Sequence, residues 1–96
     1  MFIESLNVPE KDPIIVIFNG GPGVATIQLN FFALGPYITF DGTSKLNPIP
    51  QFTWAKNSSL LFIDNPAGVG FSYAEREFDT YNNDHSFRKD ILIFMK

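Results

Sequence analysis

Two short apolar runs stand out along the chain. Ile14-Ile15-Val16-Ile17-Phe18 is unbroken, largely β-branched and too short for a helix, the pattern of a strand buried on both faces of a parallel sheet. Leu60-Leu61-Phe62-Ile63 repeats it. Each run stops at a polar, glycine-containing loop: Asn19-Gly20-Gly21-Pro22-Gly23 after the first, Asp64-Asn65-Pro66-Ala67-Gly68-Val69-Gly70 after the second. Between them Val24, Ile27, Phe31 and Leu34 fall at helical spacing and predict one apolar helix face, ended by Gly35-Pro36. Two buried strands joined through a helical crossover form a βαβ unit, so the predicted class is α/β.

The rest of the pattern is less regular. Residues 2–5 predict a short strand, and the two prolines between Asn7 and Pro13 a turn. Residues 37–40 predict another short strand before an Asp41-Gly42 turn, followed by an extended connection over 45–54 that carries Pro48 and Pro50. Near the end Phe87, Ile91, Phe94 and Met95 return to helical spacing with no Gly, Asn or Pro behind them, so the chain is expected to stop inside an element. Residues 1–96 read as one unit without repeat or linker.

Composition narrows the function classes. With 45% hydrophobic and 16% aromatic residues in 96, this is a core-forming chain rather than a disordered tail. A domain of that length removes only about 60–65% of its unfolded surface from water. That is thin cover for eleven Phe, and exposed apolar surface and unpaired strand edges are expected. A formal charge of −3, without a basic run, disfavours nucleic acid as a partner. No apolar run exceeds five residues, against the ~20 of a membrane-spanning helix. No secretory leader is read from Phe2-Ile3-Glu4-Ser5, and the sequon Asn57-Ser58-Ser59 has meaning only in a secreted protein. The absence of cysteine removes disulfides, a thiolate nucleophile and thiolate metal ligands, and a lone His85 builds no His-rich metal site. No metal or cofactor is expected.

The candidate chemistry lies in the two loops. Ligands of open α/β sheets bind outside the carboxyl ends of the strands, so Asn19-Gly20-Gly21 and Asp64-Asn65 should share one crevice. Adjacent glycines let backbone N–H groups approach a ligand, Pro22 stiffens the turn, and the following helix presents its positive end. Three readings compete: a phosphate cradle, an oxyanion hole, and a tight turn with no ligand. The first lacks both the Lys-Ser/Thr pair of a P-loop and the Gly-x-Gly-x-x-Gly spacing. The second matches the glycine loop that supplies one of two oxyanion donors between a strand and the first helix of α/β-hydrolases.

Other polar residues are weighed against plainer roles. Ser72 in Gly70-Phe71-Ser72-Tyr73-Ala74 imitates Gly-x-Ser-x-Gly, but it follows a loop rather than a buried strand and reads as a hydroxyl bonded to nearby backbone. His85 beside Asp84 invites a dyad, but both open the last helix, where Asp84 serves as a dipole or capping residue. Asp64 reads as a hydrogen-bond acceptor for loop amides, and Asn19 as either a loop clamp or a ligand. Trp54 and the phenylalanines read as core, or as surface to be covered by further chain.

Phe2-Ile3-Glu4-Ser5, Asp12-Pro13 leading into Asn19-Gly20-Gly21-Pro22-Gly23, Leu34-Gly35-Pro36, Asn47-Pro48 with Trp54, and Asn65-Pro66-Ala67-Gly68-Val69-Gly70-Phe71-Ser72-Tyr73 together resemble the serine carboxypeptidase family, in order and spacing. The resemblance covers nearly the whole chain, but only the N-terminal portion of the family. It implies an α/β-hydrolase that releases C-terminal residues from peptides through a Ser-Asp-His triad without a cofactor, in a vacuole or lysosome or after secretion. It also implies that Gly21 supplies an oxyanion N–H, and that Asn19 and the Gly20 N–H help hold the substrate's terminal carboxylate. The departures are Val24-Ala25-Thr26 where the family commonly has Cys-Ser-Ser, Ala33 where it has a glutamate used in carboxylate recognition, and Ile17 where it has a tryptophan. The nucleophile motif Gly-Glu-Ser-Tyr-Ala-Gly does not occur, so no triad residue is carried over and the chain alone is expected to be inactive. Alternatives are an acyltransferase or lyase of the same family, a non-catalytic module holding an anionic peptide end, and a truncated copy.

Overall fold

A computed structural model describes residues 1–21, 23–38, 45–77 and 83–96. Strands form where they are expected, β1 over Phe2–Ile3, shorter than the predicted 2–5, and β2 over Ile14–Ile17 of the first apolar run. The last, β5 (Ser59–Phe62), lies in the middle of the sheet, whose order is β1-β5-β2. β2 runs parallel to β5, with Ile15 opposite Leu60 and Ile17 opposite Phe62. β1 is antiparallel, with Ile3 opposite Leu60. The crossover holds a short α-helix, α1 (Ile27–Leu29), which widens directly into a π-helical turn over Asn30–Leu34. A separate ribbon pairs β3 (Tyr37–Ile38) with β4 (Asn47–Pro48), and a 3₁₀ turn over Trp54–Lys56 leads into β5. The last element is α2 (Asp84–Phe94). The mixture of helix and parallel strand is that of an α/β chain, and the expected Asp41-Gly42 turn lies outside the described residues.

The register explains which face of the sheet is covered. Side chains alternate along a strand, so Ile3, Leu60, Phe62, Ile15 and Ile17 share one face. On that face Leu60, Phe62, Ile17 and Ala55 form the buried cluster, with Ile3, Ile15, Leu29 and Leu34 packed against it. The opposite face carries Phe2, Leu61, Ile14 and Val16. There Ile14 is 60% exposed and Phe2 51%, so burial on both faces, expected for residues 14–18, is not reached by β2. β5 is better covered, because it has a strand on each side. Among the aromatic residues, Phe62 is in the core while Trp54, Phe52 and Phe71 are exposed.

The helix after the first loop is shorter than its apolar spacing predicts. It starts at Ile27 and leaves Val24 exposed outside it, because the residues before it are tied to the sheet as described below. The π turn closes with the Gly35 N–H donating to the Asn30 carbonyl at 3.1 Å. Wider turns bring residues five apart toward one side, which lets Leu29 and Leu34 both pack against the core. Asn30 is buried inside this turn with its Oδ1 unpartnered. A side chain on Gly35 would strike the Asn30 carbonyl oxygen and amide, with Cγ only 2.7 Å away.

α2 is set by its first residues. Asn83 Oδ1 accepts from the N–H groups of His85 and Ser86, both at 3.0 Å, while Ser86 Oγ accepts from the Asn83 N–H at 2.9 Å. This reciprocal capping box is worth about 1 kcal/mol. The cap is therefore Asn83, and Asp84 occupies the first turn, where its charge complements the helix dipole. Phe87 meets Phe18 edge to face, with ring centroids 5.4 Å apart, fixing the helix against the end of β2.

A carboxylate organises the connection from β1 to β2. Asp12 Oδ2 accepts from Ser5 Oγ at 2.5 Å and from the Val8 N–H at 2.9 Å, and Asn7 Nδ2 reaches both of its oxygens. The Ser5 hydroxyl first, then the Val8 amide, hold the Asp12 carboxyl below its ordinary value of 3.8. A depressed folded value means that Asp12 contributes its full stability above the unfolded value and loses it as the pH falls through the folded one. Asp12→Asn is expected to lower the urea midpoint at pH 6, and the gap from the parent should close as the pH falls below the ordinary 3.8 and through the depressed folded value. A gap of constant size across that range would overturn the assignment.

Candidate functional site

The first loop is fastened to the end of β5 at both of its ends. At its start the Asn19 N–H donates to Thr26 Oγ1 at 3.0 Å, and the same hydroxyl donates to the Ile63 carbonyl at 2.6 Å. Thr26 is 1% exposed, so this relay is shielded from water. At its end the Ile27 N–H donates to Asp64 Oδ1 at 3.1 Å. A loop anchored in this way keeps its backbone direction without bulky side chains. Gly21 and Gly23 take φ +94° and +115°, which an L side chain adopts only with strain. Pro22 lies outside the described residues.

Within the loop, Asn19 acts as a clamp. Its Oδ1 accepts from the Gly20 N–H at 2.9 Å and its Nδ2 donates to the Ala25 carbonyl at 3.4 Å. Gly21 is exposed, and its N–H meets no acceptor among the described residues. Of the two glycine amides, one is therefore internally satisfied and the next is available to a ligand.

The second loop is held by the same aspartate. Asp64 Oδ2 accepts from the Phe71 N–H at 3.1 Å, and the Asp64 carbonyl accepts from Ser72 Oγ at 2.6 Å. Gly70, at φ +58°, passes so close to this carboxylate that a Cβ there would lie 2.5 Å from Asp64 Cγ. Turn bonds from Val69 to Pro66 and from Ser72 to Val69 complete the loop, which enters through a cis Asn65–Pro66 bond.

Both loops meet at one cleft, as the positions of β2 and β5 require. Asn19, Gly20 and Gly21 line it from one side, Asn65 and Pro66 from another, and Asn83, Asp84 and Phe87 close it, around a volume of about 260 Å³. The other candidates lie elsewhere. The Ser72 hydroxyl is spent on the Asp64 carbonyl, and Ser72 lines a separate groove with Phe71, Tyr73 and Ile91. His85 is exposed and lines neither that groove nor the cleft, although Asp84 beside it lines the latter. Ala33 is exposed on the π turn. The described residues contain no group of three or more His, Asp or Glu able to hold a metal, and no helix long and apolar enough to cross a membrane.

The role of Thr26 is not evident from the chain alone, because a threonine at the start of a helix reads as an ordinary cap. Asp64 carries a clearer signal, an acidic residue closing an apolar run just before a glycine loop. Its simultaneous hold on both loops still depends on β2 and β5 being neighbours.

Comparison with known proteins bears on the family. A family model described as serine carboxypeptidase matches residues 1–96. "Serine carboxypeptidase-like 44" of Arabidopsis thaliana is 40% identical over 95 residues, covering 98% of this chain and 20% of that protein. "Carboxypeptidase Y homolog A" of Paracoccidioides lutzii is 46% identical over 76 residues, covering 78% of this chain and 13% of that protein. The protein of the same name from Leptosphaeria maculans is 45% identical over 95 residues, covering 98% and 16%. The chain spans about a fifth or less of the length of these relatives. Matched along its whole length, this chain belongs to the serine carboxypeptidase family.

Proposed function

We propose that residues 1–96 are the N-terminal part of a serine carboxypeptidase-like α/β-hydrolase domain that releases C-terminal residues from peptides. The observation that carries this is the cleft where both glycine loops meet and the Gly21 N–H has no acceptor among the described residues. That amide would donate to the oxyanion of the tetrahedral intermediate. The substrate's terminal carboxylate would sit at Asn19 and Gly20, one of its oxygens replacing Asn19 Oδ1 as acceptor of the Gly20 N–H. The nucleophile and its partners would come from further chain, which would also cover Ile14 and the free face of the sheet. No cofactor is needed, and the compartment would be vacuolar, lysosomal or extracellular.

The deciding experiment is release of the C-terminal residue from an N-blocked dipeptide. A longer protein containing this segment is expected to turn over, and the 96-residue chain is not. Turnover by the short chain that vanished in Ser72→Ala would reverse the assignment of the nucleophile. A second reading, acyl transfer on the same scaffold, is favoured by Ala33, which offers no acid to a peptide carboxylate. Product analysis with an acyl acceptor present separates the two.

A further inference from the structure

We infer that Asp64, with Thr26, is a positioning residue that sets both glycine loops at once, so that displacing its carboxylate disturbs the Gly21 N–H from a distance. This rests on the reading of Gly21 as an oxyanion donor. The geometry is that of a shared anchor. One carboxylate oxygen holds the Ile27 N–H, just beyond the first loop, and the other holds the Phe71 N–H in the second. One residue earlier, the Ile63 carbonyl takes the Thr26 hydroxyl, which in turn receives the Asn19 N–H. The eight-residue stretch from Asn19 to Thr26 is thus closed by Thr26 and tied, through Thr26 and the adjoining Ile27, to the two-residue segment Ile63-Asp64. Neither Asp64 nor Thr26 is among the residues lining the cleft. Their influence on a ligand there passes through the loops.

An ionised carboxylate accepts from both amides, whereas a carboxamide accepts through one oxygen and presents N–H donors at the other position. Asp64→Asn therefore leaves either Ile27 or Phe71 with its amide facing a donor. Gly70 leaves room for the carboxylate only by lacking a side chain, since a Cβ there would lie 2.5 Å from Asp64 Cγ. Displacement of a catalytic donor by about 1 Å costs on the order of a hundredfold in rate.

The test uses the longer protein that carries this segment. Asp64→Asn is expected to lower kcat about a hundredfold with KM within about threefold, as for an interaction that acts on the transition state. Hydrogen exchange should accelerate at whichever of the Ile27 and Phe71 amides faces the carboxamide nitrogen. Thr26→Val, which keeps the shape and removes the hydroxyl, should lower kcat and also raise KM, since it frees Asn19; Thr26→Ser should restore both. Asp12→Asn, the loss of a carboxylate clamp remote from the cleft, should cost stability and leave kcat unchanged. If Asp64→Asn does not fold, the Thr26 pair decides the question. An active parent whose Asp64→Asn and Thr26→Val forms keep kcat within threefold overturns the positioning role alone, as does an unchanged exchange rate at Ile27 and Phe71. A parent inactive toward both blocked dipeptides and acyl acceptors overturns the oxyanion reading, and the positioning role falls with it.

Discussion

Phe62→Ala is expected to destabilise the fold by about 3–5 kcal/mol, the range for removing a fully buried phenylalanine ring. Phe62 is 2% exposed, lies opposite Ile17 in the parallel ladder and shares its face with Leu60. The cluster around it is small, with four buried members and four partly buried neighbours, so little is available to collapse into the cavity. Domains of this length start from the low end of the 5–15 kcal/mol range, which places the variant near or below its unfolding midpoint at 25 °C. Urea titration followed by far-UV circular dichroism reads the effect. Phe52→Ala provides the contrast: that ring is 72% exposed, and its loss should change stability by no more than about 0.5 kcal/mol. Equal effects at the two positions would mean that the sheet's covered face is not the core.

The second large effect is catalytic. Gly21→Ala in the longer protein is expected to lower kcat by about 10²–10³, the usual consequence of losing one oxyanion donor. The new methyl group is not itself the obstacle, since its nearest neighbour would be Val24 Cγ2 at an ordinary 3.5 Å. The obstacle is the backbone. At φ +94° an L residue is strained, and relief of that strain turns the loop and re-aims the N–H. Stability should change by only about 1 kcal/mol, because the loop is exposed and its anchors at Thr26 and Asp64 remain. A variant that kept kcat within threefold, at unchanged melting temperature, would remove Gly21 from the oxyanion hole.

The parts of this structure legible in the sequence are those governed by local pattern. Two uninterrupted apolar runs identify β2 and β5, and the glycines behind them identify loops at the strands' carboxyl ends. Parallel pairing follows from the helical stretch between them. Less legible are features that depend on distant partners. The widening of the helix at Asn30 rests on a bond from Gly35, and apolar spacing alone favours an ordinary helix over the same residues. The network at Asp12 needs Ser5, Asn7 and Val8 brought round by the turn between β1 and β2. At the site, glycine spacing locates the loop, but the choice between Asn19 as clamp and as ligand turns on which atoms its amide meets. In the structure these are the Gly20 N–H and the Ala25 carbonyl.

The place of β5 in the sheet has a temporal side. Among the described residues it is the last strand made, and the only strand to which β1 and β2 are paired. The Met1 nitrogen donates to the Phe62 carbonyl across 61 positions of sequence, so Met1 finds its place only after Phe62 is available. During synthesis at about 5–20 residues per second, the apolar segments Phe2–Ile3 and Ile14–Ile17 wait for several seconds with open edges. Closing such a long loop is slow, and unpaired edges invite association with other chains while it remains open. Until Ser59–Phe62 emerges, these segments of the nascent chain stay open to association, and that interval is one in which a holding chaperone would matter.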